Sequence, residues 1–178
     1  MQIIKNGALL DDAWRLARHA DELPEGGRPE GPTLVTPALW AETEAALIAG
    51  GWPLGLVLEP DQDLDALPEN LERFSVIALS FPRFADGRPF SLARRLRGRL
   101  GYAGELRALG PILPDQYAFL VRCGCDSVAP ERPGDPAVWR RALASIGQVY
   151  QVAADRRPSL AWLRHRPEES ALAANWAY

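Results

Sequence analysis

The stretch FPRFADGRPFSLARRLRGRLGYAGELRALGPILPDQYAFLVRCGCDSV, Phe81–Val128, decides the fold. It reads as strand–loop–helix–strand–loop–helix–strand. The apolar run Val76–Phe81 that leads into it is short enough for a strand buried on both faces. Pro82–Pro89 is a loop of turn residues and charge. Ser91 reads as the cap of a helix that runs to Leu100 and stops at Gly101. Glu105–Leu109 is the next strand and Gly110–Pro114 the next loop. Asp115 reads as the cap of a helix over Gln116–Arg122, and Ser127–Ala129 as a third strand. If the strands are parallel, both charged loops follow strand C-terminal ends, where α/β proteins place ligands.

Upstream, the same alternation repeats. Thr33–Thr36 reads as a short strand, and Thr36-Pro37 opens an amphipathic helix that Gly50-Gly51 closes. Leu54–Leu58 is another buried strand, and Leu64, Leu67 and Leu71 suggest a short helix in an acidic loop. Met1–Ala20 reads as an irregular arm, with a short strand at Ile3-Ile4 and a short helix around Asp12–Arg18. Downstream, Asp135-Pro136 opens a helix whose Trp139, Leu143, Ile146 and Tyr150 recur at helical spacing. Its stripe is expected to pack on the domain or on a second copy. The expectation is an α/β fold. Its mostly parallel sheet has four to six strands joined by right-handed crossover helices, either open or a partial barrel. Residues 1–154 form one domain, and 155–178 a tail carrying Trp162, Trp176 and Tyr178 that docks in cis, on a partner or in a homodimer.

A chain of 178 residues can bury a sizeable core. A net charge of −3 gives no reason to expect nucleic acid or a membrane surface. Met1–Lys5 does not read as a signal peptide, and no apolar run is long enough to span a bilayer. Two cysteines build no disulfide framework, so a cytoplasmic, reduced protein is expected. Cys123 and Cys125 read as packing cysteines, without a redox C-x-x-C or a four-cysteine metal set. No metal is expected. There is no G-x-G-x-x-G after a strand, no P-loop, no G-x-S-x-G elbow and no H-E-x-x-H, so neither a catalytic residue nor a cofactor is assigned.

The candidate ligand-binding residues are Asp86, Arg88, Ser91, Arg94, Arg107, Asp115 and Gln116. Arg88 can donate to an anion while Asp86 orients it, or the two can simply fix a turn. Ser91 with the following amides can hold an anion, or be a plain cap. Arg94 and Arg97 lie close on one helix face, either solvated or facing an acidic partner. Glu105 and Arg107 point to the same face of a strand and need partners there: each other, or Asp86 or Asp115 for the arginine. Asp115-Gln116 at the next helix start can complete the site.

Taken together, Phe84-Ala85-Asp86-Gly87-Arg88, Ser91-Leu92-Ala93-Arg94, Gly104–Ala108 with Gly110, Leu113, Asp115-Gln116, Arg122, Gly124 and Asp126 resemble the bacterial domain-of-unknown-function family 934. The family pattern tends to have Asp where this chain has Pro111, and an aromatic where it has Cys125. Members are found beside assimilatory sulfite reductase and are often labelled oxidoreductases of sulfite reduction. The resemblance thus implies an accessory protein of that pathway, binding sulfite reductase or a small anionic ligand through the charged face. An enzyme of the same pathway and a dimeric scaffold are the alternatives.

Overall fold

The computed structural model describes residues 2–155 and 157–165. The described strands are β1 (Gln2–Lys5), β2 (Ala8–Asp11), β3 (Arg15–Ala17), β4 (Thr33–Val35), β5 (Leu54–Leu58), β6 (Phe74–Ser80), β7 (Glu105–Gly110) and β8 (Ser127–Pro130). The helices are α1 (Pro37–Ala49), α2 (Arg88–Gly98), α3 (Pro114–Cys123), α4 (Pro136–Ala144) and α5 (Leu160–His165). The eight strands form one sheet in the order β2-β1-β8-β7-β6-β5-β4-β3. From β3 to β8 every pairing is parallel, while β1 runs antiparallel to β8 and β2 antiparallel to β1. The mostly parallel α/β sheet agrees with the sequence, but its eight strands exceed the expected four to six.

The extra strands come from the stretch read as an irregular arm. Asn6 and Gly7 both have positive φ, 51° and 71°, and close a two-residue hairpin between β1 and β2. Asn-Gly is a strong hairpin signal, and its left-handed geometry suits these two residue types. The expected helix around Asp12–Arg18 is instead an extended crossing followed by β3, because Arg15–Ala17 pair in register with Thr33–Val35.

That crossing shapes the molecule. β2 and β3 are the two edges of the sheet, yet only Asp12, Ala13 and Trp14 separate them in the chain. The Cα atoms of Asp11 and Arg15 can be at most about 14 Å apart. Eight flat strands would hold their edges about 34 Å apart. The sheet therefore curls into a half-barrel, and the short link runs across its concave side.

Side-chain alternation divides the core accordingly. Leu56, Leu58, Ile77, Leu79, Leu106, Ala108 and Val128 face the helices in one large apolar cluster. On the concave side Leu34, Val57, Val76 and Ala78 pack with Trp14 and Leu109. Gly55 is required there, because a Cβ would come within 2.6 Å of both Leu34 Cδ2 and the Val76 carbonyl and 3.3 Å of the Trp14 ring.

The expected caps at Thr36 and Asp135 are present. Their side chains accept from Leu39 N (3.2 Å) and Ala137 N (2.8 Å). The α4 stripe packs on its own domain. Trp139 is buried edge-on against Tyr117 and donates to the Pro133 carbonyl. Ile146 and Tyr150 lie beyond the helix and are exposed. Just before and at the start of residues 155–178, Arg122 donates to the Gln151 carbonyl (2.7 Å) and to Asp155 (3.1 Å). Trp176 and Tyr178 lie outside the described residues.

Candidate functional site

The loop that leaves β6 carries the first predicted pair. Asp86 accepts from the Arg88 backbone N–H (3.1 Å), from Arg88 Nε (3.0 Å) and from Nη2 (2.7 Å). This is a bidentate carboxylate–guanidinium fork that also ties down the first turn of α2. The Arg88 guanidinium holds the Asp86 carboxyl below its usual range. The helix begins at Arg88, so Ser91 is not its cap. Ser91 lies inside α2 on the exposed side. The register is set by Asp86 and by Pro89 in the first turn, where proline has no N–H to leave unpaired.

The loop that leaves β7 behaves similarly. α3 begins at Pro114, so Asp115 is within its first turn and the cap position falls to Leu113. Gln116 does the joining. Its Oε1 accepts from Leu113 N (3.2 Å), and its Nε2 donates to the Phe84 carbonyl (3.2 Å). One side chain thus latches the two loops together. Between them three large apolar side chains stay about half exposed: Phe84 (50%), Leu113 (51%) and Phe119 (53%). Phe119 stacks on Phe90 at 4.9 Å, and Phe90 in turn meets Phe81 beneath. Arg83 and Arg88 stand exposed in the same loop. The sequence named the charges of this face and missed its exposed apolar side chains; a helix-period count over α3 would have marked Phe119 as surplus to the buried stripe.

Arg107 does not join that face. It sits on the opposite, concave side of the sheet and is 2% exposed. It donates Nη1 to Asp12 (2.7 Å), Nη2 and Nε to Glu105 (2.8 and 3.0 Å), and Nε also to Ser127 (3.3 Å). Ser127 donates to Glu105 (2.6 Å), and Lys5 closes the chain on the other Glu105 oxygen (2.8 Å). Burial would raise the Glu105 pKa, but hydrogen bonds from Lys5, Ser127 and Arg107 outweigh it and hold the group at about 2. The expected Glu105–Arg107 pair is there, whereas the expected reach to Asp86 or Asp115 is replaced by Asp12. Arg107 is occupied by carboxylates and is an architectural residue.

Arg94 is exposed on α2 and lines a cleft of about 780 Å³ with Arg97, Tyr102, Asp126 and Val152–Asp155. No residue of the two latched loops lines that cleft. The neighbouring Arg97 is structural, donating to the carbonyls of Gly124, Tyr102 and Gly104 and to the Asp126 carboxylate. Cys123 and Cys125 are buried free thiols, and burial pushes both pKa values up, away from reactivity at neutral pH. Among the described residues no group of three His, Cys, Asp or Glu side chains is placed to hold a metal ion. No described helix is long and apolar enough to cross a membrane.

At the C-terminal mouth of the half-barrel lies another open cleft of about 780 Å³, lined by Leu16, Arg18, Glu59, Ser80, Leu109 and Glu131 among others. Gly110 shapes its edge. Its φ is +131°, and a Cβ there would collide with the Phe81 carbonyl. The sequence placed the β6 and β7 loops at strand C-terminal ends, but Arg18, Glu59, Ser80 and Glu131 were not candidates, because they come from separate strand ends.

A family model described as a bacterial protein of unknown function (DUF934) matches residues 55–161, from β5 into α5. No curated protein matches the chain. The match covers more than half of the sequence and includes both latched loops and Arg107. The chain therefore belongs to the DUF934 family of bacterial proteins.

Proposed function

We propose that the protein is an accessory protein of assimilatory sulfite reduction that docks on sulfite reductase through the latched loops. The pathway is the one the family resemblance implies. The observation that carries the docking reading is the surface itself: Phe84, Leu113 and Phe119 held half exposed beside Arg83 and Arg88. Contiguous exposed apolar side chains mark interaction sites, and aromatics with arginine are the residue types that interfaces favour. The Gln116 latch and the Asp86–Arg88 fork pre-organise the face, which lowers the entropy cost of binding. A small anion on Arg83 and Arg88 is the smaller-scale version of the same reading.

The test is growth of a deletion strain on sulfate, sulfite, sulfide or cysteine as sole sulfur source, complemented by wild type, Arg88→Ala or Phe119→Ser. Failure on sulfate and sulfite with rescue by sulfide places the protein at the sulfite step. Failure of the two folded variants to complement then assigns the face. Normal growth of the deletion strain on all four sources overturns the pathway. An enzyme of the same pathway is the second reading, favoured by the cleft at the strand C-terminal ends, where α/β proteins hold substrates. Turnover of sulfite by the purified protein with an electron donor, lost in a cleft variant and kept in Phe119→Ser, would select it.

A further inference from the structure

The cleft at the barrel mouth is a different surface from the docking face, and its chemistry is specific. Its floor holds Ser80, the last residue of β6, which points to the concave side and is 9% exposed. The Ser80 hydroxyl has no hydrogen-bond partner among the described residues. Among the described residues no buried side-chain oxygen is closed off without a partner, so this hydroxyl opens on the cleft. A hydroxyl left in an otherwise apolar floor costs stability unless something in the cleft bonds to it.

The walls are mostly apolar, Leu16, Leu109 and Ala129 with Pro82, Pro111 and Pro130, and Gln2 is the other uncharged polar side chain of the lining. Opposite charges flank these walls. On the β3 side Arg18 gives Nη1 to Glu59 (2.5 Å), and both side chains are 41% exposed. The remaining guanidinium N–H groups of Arg18 are open to a second acceptor. On the β8 side the exposed Glu131 has no ion pair or side-chain hydrogen bond among the described residues. In sheet order Arg18 and Glu131 lie on either side of Ser80. The lining has one arginine against two glutamates, which disfavours a phosphate or other polyanion.

We propose that this mouth binds a small zwitterion of amino-acid type. Its α-carboxylate meets the open N–H groups of Arg18, its α-ammonium donates to the Ser80 hydroxyl, and a side chain with a further polar or cationic group crosses the floor to Glu131. The proposal does not depend on the pathway or on the docking face. It also gives a purpose to a strand-end serine that the fold leaves unpaired.

Calorimetric titration of the full-length protein tests it, with the proteinogenic L-amino acids as probes and acetate and methylamine as singly charged fragments. At least one amino acid binds in the millimolar range or tighter, and neither fragment matches it. Ser80→Ala weakens that binding about fivefold, the loss of one hydrogen bond. Arg18→Gln and Glu131→Gln each weaken it about tenfold. They sit on the rim, so they report even if Ser80→Ala disturbs the floor. Arg88→Ala leaves the affinity unchanged. Binding by no amino acid overturns the proposal. So does equal binding of acetate or methylamine, or an affinity that none of the three cleft variants moves.

Discussion

Two carboxylate–arginine assemblies, built from the same chemistry, do opposite things in this protein. On the rim, Asp86 and Arg88 form a fork at 2.7–3.1 Å with Arg88 standing in solvent. Under the concave face, Glu105 and Asp12 hold Arg107 at 2.7–3.0 Å with the guanidinium almost wholly buried. Water screens the first, so it shapes a loop and leaves a charge on offer. The second was taken out of water as a unit, so each member depends on the others. Distance and pairing do not separate a surface that can meet a partner from a network that holds a sheet together. Burial does.

Breaking the buried network gives the largest expected effect. Arg107→Ala removes the buried guanidinium between Glu105 and Asp12 and should cost about 3–5 kcal/mol, read as a lower denaturant midpoint. A cost below about 1 kcal/mol would place this network with ordinary surface pairs. The second effect is on acid stability. The folded Glu105 pKa of about 2 lies below its ordinary 4.5. A depressed carboxylate contributes stability that is fully present above the unfolded pKa. That contribution is lost as the pH falls through the window from about 4.5 to about 2. Glu105→Gln should flatten the fall in melting temperature across that window, and an unchanged slope would refute the assignment.

The rim should respond in binding and not in folding. Phe119→Ser removes a half-exposed ring, so stability should change by no more than about 0.5 kcal/mol. Binding to purified sulfite reductase, followed by sedimentation, should be lost. The smallest effect on stability is expected for Arg88→Ala, with a melting temperature inside experimental error despite the ideal fork geometry. A clear drop there would mean that the Asp86 turn holds the loop more firmly than its exposure suggests.

Much of the fold was legible because its cues are local. The apolar runs Leu54–Leu58 and Val76–Phe81 mark β5 and, within two residues at its start and one at its end, β6, and both strands have neighbours on each side. The Thr36-Pro37 and Asp135-Pro136 starts are dipeptide signals, and both caps form. Ser91 and Asp115 misled because each has cap chemistry but lies just inside a helix that a proline had already opened. The hairpin at Asn6-Gly7 was legible and overlooked. The candidate site was legible in part. Its loops and the Asp86–Arg88 pair follow from turn residues after a strand, but the exposed aromatics and the Gln116 latch follow from how two loops meet.

Local sequence settles the strand–helix alternation, the helix starts at Pro37 and Pro136, and the shared face of Glu105 and Arg107. Each depends on backbone sterics or side-chain alternation over a few residues. Tertiary structure alone decided that Asp12 reaches Arg107 from 95 positions away, and that a three-residue link curls eight strands into a half-barrel. The same curl brings Arg18, Ser80 and Glu131 to one mouth. Whether a charge is buried, and what it faces, depends on which distant strands become neighbours, and no local pattern encodes that.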